Sequence, residues 1–240
     1  MKTILLKFAG PLQSWGTSSH FESRHTDLYP SKSAVIGMIA AACGFRRSED
    51  EKIRRLNQLH FAVRADQEGR IMEDYQTAHK YKYSPDPVEE RTYVTHRYYL
   101  EDAVFLAAVG HEDDQWMADI EEALRHPYFQ LYMGRRSCPV TADCVFDVLD
   151  LDVISALRTA PWQAERWYKR MRREPIYLYA DADLLPGGKQ SFRRDRVSSF
   201  AQCGQWYQLR RESCTLVELP DADSGRQEHD AFAWVSEEEE

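Results

Sequence analysis

Thr3-Ile4-Leu5-Leu6-Lys7-Phe8-Ala9, followed at once by Gly10-Pro11, decides how the rest of the chain is read. A nearly unbroken apolar run of this kind marks a buried strand. Gly-Pro ends it, because proline cannot donate to a sheet ladder. Outward from this strand, a loop runs to about Pro30, and Ser31-Lys32-Ser33 then precedes A-V-I-G-M-I-A-A-A-C and Gly44. Serine accepts from the open N–H groups of a first helical turn and glycine tolerates the left-handed stop, so this segment is a helix. Ser48-Glu49-Asp50-Glu51 has the spacing of a capping box and opens a second helix, after which His60 to Ala65 reads as a strand.

Between Asp74 and Leu100 the chain is dense in tyrosine, histidine, lysine and arginine, interrupted by Ser84-Pro85-Asp86-Pro87. Two strands joined at a proline-marked tip, projecting as a long hairpin, accommodate it. Ala103 to Val109 is a further apolar strand, Asp113 to Arg125 places Trp116, Ile120 and Leu124 on one helical face, and Cys144 to Leu149 supplies a closing strand. Strand, helix, strand, strand, helix, strand predicts an α+β fold of ferredoxin-like or split β-α-β layout over residues 1–150. Many unrelated functions share that layout. Residues 151–219 read as a reduced C-terminal portion: a short helix, a basic-aromatic stretch from Trp162 to Arg173, a strand at Ile176 to Tyr179 and a turn at Pro186-Gly187-Gly188. Residues 220–240 are an acidic tail with the composition of a disordered segment.

Among 240 residues, 43% are hydrophobic, enough to bury a substantial core. The longest apolar run, Ala34 to Phe45, is too short to cross a bilayer, and the N-terminus has no secretory pattern, so a cytoplasmic location is expected. Five cysteines without a C-x-x-C pair suggest idle thiols and no metal. A net charge of −8 argues against a polyanionic partner until it is divided. Nine of the 39 acids and one of the 31 bases lie from Glu218 onward, which leaves a body of balanced charge whose arginines are clustered.

Four groups of residues could meet a nucleic acid. G-P-L-Q-S-W-G, Gly10 to Gly16, places Gln13, Ser14 and the stacking face of Trp15 where the first strand ends. A turn around a core tryptophan accounts for the same residues. Ser31, Lys32 and Ser33 at a helix start suit a phosphate, although ordinary capping explains the serines equally. Tyr132-Met133-Gly134-Arg135-Arg136-Ser137-Cys138-Pro139 reads as a tight turn presenting two guanidinium forks, or simply a solvated arginine pair. The hairpin has Tyr75, His79, Lys80, Tyr81, Lys82 and Tyr83 on one arm and Tyr93, His96, Arg97, Tyr98 and Tyr99 on the other, aromatics interleaved with bases as single-stranded nucleic acid requires, or else a tyrosine-rich edge ribbon that packs on a protein neighbour. Arg166, Lys169, Arg170, Arg172 and Arg173 form a fifth cluster that fits a solvated helix face equally well.

Taken in order, G-P-L-Q-S-W-G, Y-P-S-K-S and G-R-R-S-C-P make the chain resemble the Cas-five family, in the CasD-type branch of subtype I-E Cascade complexes. The resemblance runs from Met1 to about Leu219 and is strongest through Pro139. It implies an RNA-recognition-type (RAMP) ferredoxin-like domain with an inserted thumb hairpin at about 74–100 and a small β-rich C-terminal portion. It further implies a non-catalytic subunit that holds the 5′ repeat-derived tag of the crRNA, meets the Cascade backbone subunit and large subunit, reaches target DNA only through the complex, and needs no cofactor. Carried over, Arg97 with its neighbour His96, Tyr132, Gly134, Arg135, Arg136 and Ser137 are RNA-binding positions; Gln13, Trp15, Ser31, Lys32 and Ser33 follow by the same matching. The alternative is a metal-independent endoribonuclease acting on CRISPR repeat RNA, since relatives of another subtype cut with a histidine or tyrosine and a lysine. His79, Lys80, Tyr81, Lys82 and His96 supply those residue types.

Overall fold

The computed structural model describes residues 1–17, 23–80, 91–171, 175–201 and 206–218. The first strand, β1 (Lys2–Ala9), is followed by two short strands, β2 (Leu12–Gln13) and β3 (Ser23–Arg24), and by helices α1 (Lys32–Ala42) and α2 (Asp50–Leu56). Next come β4 (His60–Gln67), β5 (Arg70–Lys80), β6 (Arg91–Glu101), β7 (Val104–His111) and α3 (Asp114–Arg125). The chain closes with β8 (Val145–Leu149), α4 (Val153–Thr159), α5 (Arg166–Met171), β9 (Ile176–Asp181), β10 (Lys189–Ser199) and β11 (Trp206–Val217). The architecture is the mixed α+β type read from the sequence. Among the described residues, no helix is long and apolar enough to cross a membrane.

Seven strands form one antiparallel sheet in the order β10-β11-β9-β4-β7-β1-β8. β1 pairs with β7 along its whole length, from Lys2 opposite His111 to Ala9 opposite Val104. Ile4, Leu6 and Phe8 point to the face covered by α1, α2 and α3, and Leu5 to the face covered by Val153, Ala156 and Leu157 of α4. Both faces are therefore dry, which is why the opening strand is apolar at consecutive positions. Each fully buried Leu, Ile or Phe contributes about 1.5–3 kcal/mol. Arg64 is wholly buried in the same sheet. Its guanidinium forks onto Asp66 at 2.6 and 2.8 Å and donates to the carbonyls of Leu157, Ala160 and Pro161, so it caps the C-terminal end of α4.

β5 and β6 pair antiparallel from Arg70↔Glu101 to Lys80↔Arg91, in a second sheet with β2 and β3. The hairpin arms are thus longer than the Asp74–Leu100 span read from composition, because Arg70 to Glu73 continue the ladder although they lack the basic-aromatic pattern of the rest. The expected tip, Ser84 to Pro87, lies outside the described residues. Ser48 does not cap α2; the N-cap is Glu49, whose carboxylate turns back to accept from the Arg46 N–H at 2.6 Å.

The largest departure lies in the C-terminal part, where β10 and β11 were not read as strands. They pair over eight positions, and β11 joins them to β9 and so to the edge of β4. Their alternation is hidden because the inward positions carry charge. Asp195, Arg210 and Glu212 are buried there in an ion network with the partly buried Arg193, in place of aliphatic side chains.

Candidate nucleic-acid interface

Two loops that are more than a hundred residues apart in sequence close on one another. The segment after α3 first satisfies the carbonyl end of α1: the N–H groups of Tyr128 and Phe129 donate to the Ala42 and Ala41 carbonyls at 2.9 and 3.2 Å. It then folds into a tight turn in which Met133 N–H donates to Cys138 C=O at 2.7 Å and Tyr132 bridges to Pro139. Ser14 N–H donates to Met133 C=O at 3.1 Å, which locks the G-P-L-Q-S-W-G loop onto the G-R-R turn. At that junction Gly134 has φ +83°, and a Cβ there would stand 1.6 Å from the Ser14 carbonyl oxygen. Only glycine fits both the backbone angle and the approach.

Beside the junction lies a cleft of about 1340 Å³, lined by Arg24, His25, Arg46, Arg47, Arg135 and Arg136 and by the rings of Phe45, Phe129, Tyr132, Phe200 and Tyr207. No aspartate or glutamate lines it among the described residues. Arg135 lies 4.3 Å over the Tyr99 ring and donates one N–H to the Arg24 carbonyl at 2.8 Å. Its other terminal nitrogen, Nη1, and the Arg97 Nε on β6 are buried without a hydrogen-bond acceptor among the described residues. Buried guanidinium donors left open are costly, and an anion entering the cleft would relieve that cost. Rings and arginines interleaved without competing carboxylates can hold a strand by stacking and by bidentate phosphate contacts.

Among the residues chosen from sequence, Trp15, Ser31, Ser33, Tyr132, Gly134, Arg135 and Arg136 border this cleft. Ser137 is exposed on the same turn, and Arg97 sits next door, in register with Arg24. His96, half-exposed on β6, binds the Glu73 carboxylate at 2.5 Å and meets the Tyr75 ring edge-on.

Gln13 and Trp15 do not present amide and ring to a ligand. Both are buried, the Trp15 indole N–H donates to Gln13 Oε1 at 2.9 Å, and the Gln13 amide donates to the carbonyls of Ala103 and Phe8. The indole packs against Phe8 in the core with ring centres 5.1 Å apart. The core-tryptophan reading is therefore the correct one for these two residues.

Lys32 likewise faces inward. Its ammonium is buried against Asp181 at 2.9 Å, and burial pulls its pKa below the ordinary lysine value although Asp181 opposes the shift. The anion expected at the α1 start is the chain's own: Asp195 accepts from Lys32 N–H at 2.9 Å, and Ser31 caps through Ala34 N–H. Around it, Arg210 binds Asp195, Asp181 and Glu212, while Arg193 binds Asp27. Tyr29 stacks on Tyr179 and donates its hydroxyl proton to Glu212 at 2.7 Å, and burial raises its pKa strongly. The Y-P-S-K-S opening is thus a clamp between α1 and β10–β11, and a phosphate has no vacant seat there.

Sequence reasoning missed Arg24, His25, Arg46, Arg47, Phe200 and Tyr207. For Arg46-Arg47 a signal existed, since Gly44-Phe45-Arg46-Arg47 places an arginine pair just after a helix-ending glycine, much as Gly134 precedes Arg135-Arg136. Phe200 and Tyr207 had none, because single aromatics in a mostly polar stretch carry no mark of the surface they will face. In the fifth cluster, α5 forms from Arg166 to Met171 and Lys169 Nζ donates to the Trp162 carbonyl at 2.5 Å; Arg172 and Arg173 lie outside the described residues. The described cysteines form no disulfide with one another, and burial pushes the Cys144 thiol up to about 12.

The family model described as CRISPR-associated protein (Cas_Cas5) matches residues 3–201. The chain is 31% identical over 150 residues to "CRISPR system Cascade subunit CasD" of Escherichia coli (strain K12), covering 58% of this chain and 67% of the relative. Among solved structures it is similar to a chain of "CRISPR RNA-guided surveillance complex", with TM-score 0.74, 31% identity and 98% and 99% of the two chains covered. It is also similar to "Crystal structure of Cas protein", with TM-score 0.64, 28% identity and 91% and 97% covered. A match over most of the chain establishes that the protein belongs to the CRISPR-associated protein (Cas_Cas5) family and is a CasD-type subunit.

Proposed function

We propose that the cleft grips the 5′ repeat-derived tag of a crRNA inside a Cascade-type surveillance complex and holds it without cutting it. The observation that carries this reading is the arginine and aromatic lining, free of acids among the described residues, beside which Arg135 Nη1 and the neighbouring Arg97 Nε lack acceptors among those same residues. Support comes also from the relatives, one a Cascade subunit and one part of an RNA-guided surveillance complex. In this reading β8-β1-β7-β4 is a ferredoxin-like, RNA-recognition-type unit. The β5–β6 hairpin is its thumb, and carries His96 and Arg97 toward the RNA and the backbone subunit. A large subunit contacts the same cap, and target DNA is met only through the assembly. Phosphate contacts supply most of the affinity, while rings fix the path of an unpaired strand.

Arg135→Ala with Arg136→Ala is expected to weaken binding of single-stranded repeat-derived RNA by about tenfold to a hundredfold, since a charge-assisted hydrogen bond is worth roughly 1.5–3 kcal/mol and each 1.4 kcal/mol is tenfold. Fluorescence anisotropy across a salt series checks it. The affinity of the parent protein should fall steeply with salt, and the double variant should show a shallower slope. Normal crRNA content in complexes built with that variant would remove the site assignment. The nuclease alternative is decided in the same tubes: incubation with repeat RNA without metal should shift the band and leave the RNA intact. A product that disappears in His79→Ala, Lys80→Ala or His96→Ala would establish cutting instead.

A further inference from the structure

The C-terminal segment 219–240 is a motif of the sequence that this reading leaves unused. It holds Asp221, Asp223, Glu228, Asp230 and four terminal glutamates against the single base Arg226. Within it, Ala231-Phe232-Ala233-Trp234-Val235 sets two large rings between Asp230 and Glu237. The cleft carries the complementary chemistry, with arginines and aromatic rings in its lining and no lining carboxylate among the described residues. We infer that residues 219–240 dock in the arginine-lined cleft of their own chain and compete there with RNA, an inference that rests on the reading of the cleft as the RNA site.

The same forces serve both occupants. Guanidinium forks take carboxylates as they take phosphates, and rings that accept bases accept Phe232 and Trp234. Arg46 and Arg47 are exposed on the cleft rim, and Arg47 lies close enough to Tyr207 to oppose the rise that burial gives its hydroxyl pKa. Chain length permits the return. β11 has Tyr207 at the cleft and ends at Val217, about 33 Å further along at roughly 3.3 Å per residue. The connection from Glu218 to Phe232 spans up to about 50 Å at roughly 3.3–3.6 Å per residue, so Phe232 and Trp234 reach the cleft with slack. Docking of this kind also accounts for a polyanion-binding chain with a net charge of −8, because the excess acid sits on the removable occupant.

A tethered segment has an effective concentration on the order of millimolar, so a docking constant of about 100 μM closes the cleft about ten to one and raises the apparent RNA Kd about tenfold. The experiment compares the full chain with a chain ending at Glu218, using a short labelled single-stranded repeat-derived RNA at low salt. The shortened chain is expected to bind about tenfold tighter. Phe232→Ala with Trp234→Ala, and separately Glu237→Gln through Glu240→Gln, should each recover part of that gain in the full-length protein. A synthetic peptide of residues 219–240 should bind the shortened chain saturably, be displaced by RNA, and fail to bind when Arg46→Glu and Arg47→Glu are introduced. Equal RNA affinity of full and shortened chains, with no peptide binding, overturns the inference. An advantage of truncation that disappears on dilution assigns the docking to a second copy and overturns the intramolecular form. If the shortened chain takes the peptide but not RNA, the docking stands and it is the RNA reading that fails.

Discussion

Gly134→Ala is expected to destabilise the protein by on the order of 4 kcal/mol, in the range reached only by a few named mechanisms. Two of them coincide here. The backbone is left-handed at φ +83°, and the new methyl carbon would stand 1.6 Å from the Ser14 carbonyl oxygen and 2.8 Å from its carbon. Neither atom is a flexible side-chain end, so the two loops must separate. Separation breaks the Ser14 N–H to Met133 C=O bond and loosens the cover over Trp15 and Gln13. For a chain of this length, 1 kcal/mol corresponds to roughly 2–4 °C, so a melting temperature lower by about 10 °C is anticipated. Gly187→Ala is the control, because a Cβ there has nothing within 4 Å, and a change within about 0.5 kcal/mol is expected. If the two variants melt alike, the two loops are not locked at Gly134. RNA affinity should fall with stability for Gly134→Ala, since Arg135 and Arg136 are aimed by this junction.

The second large effect is expected at Asp195, which is fully buried beneath α1. Its carboxylate accepts from Arg210 Nε at 2.7 Å, Arg210 Nη2 at 2.8 Å and Lys32 N–H at 2.9 Å. Burial by itself would lower the Arg210 pKa, yet the surrounding carboxylates of Asp195, Glu212 and Asp181 raise it, so the guanidinium stays charged. Asp195→Ala leaves that charge with fewer partners and the first N–H of α1 with none. Removing one member of a buried pair costs about 3–5 kcal/mol, and because Asp181 and Glu212 remain the lower end applies. Urea titration should show a lower midpoint for Asp195→Ala. An unchanged midpoint would mean that the network is not what ties β10 and β11 to α1.

How much was legible in the chain itself differs by element. The buried strand at Lys2–Ala9, α1 with its serine cap, α3 with its apolar face, and the outline of the β5–β6 hairpin all announced themselves. In each, local periodicity and the burial it serves agree. β10 and β11 did not, because K-Q-S-F-R-R-D-R-V-S-S buries ions where a strand ordinarily buries aliphatics, and the pattern that marks a strand is then absent. The same ambiguity misled the reading of Lys32. A lysine at a helix start looks alike in sequence whether its counter-ion is a ligand or Asp181, a residue 149 positions away.

By itself, the sequence determined the order of the main elements through Leu149, though not the short β2 and β3, together with the glycine that sits beside two arginines and the family of the chain, since each depends on short-range spacing. Which polar groups face outward was decided only by the tertiary structure. Gln13 and Trp15 bond to one another and Lys32 to Asp181 inside the fold, while Arg46, Arg47, Arg135 and Arg136 are brought to one cleft. The physical reason is that a polar side chain buried or exposed is the same letter. Its cost is set by the partners that long-range pairing delivers, and sequence spacing carries no record of those partners.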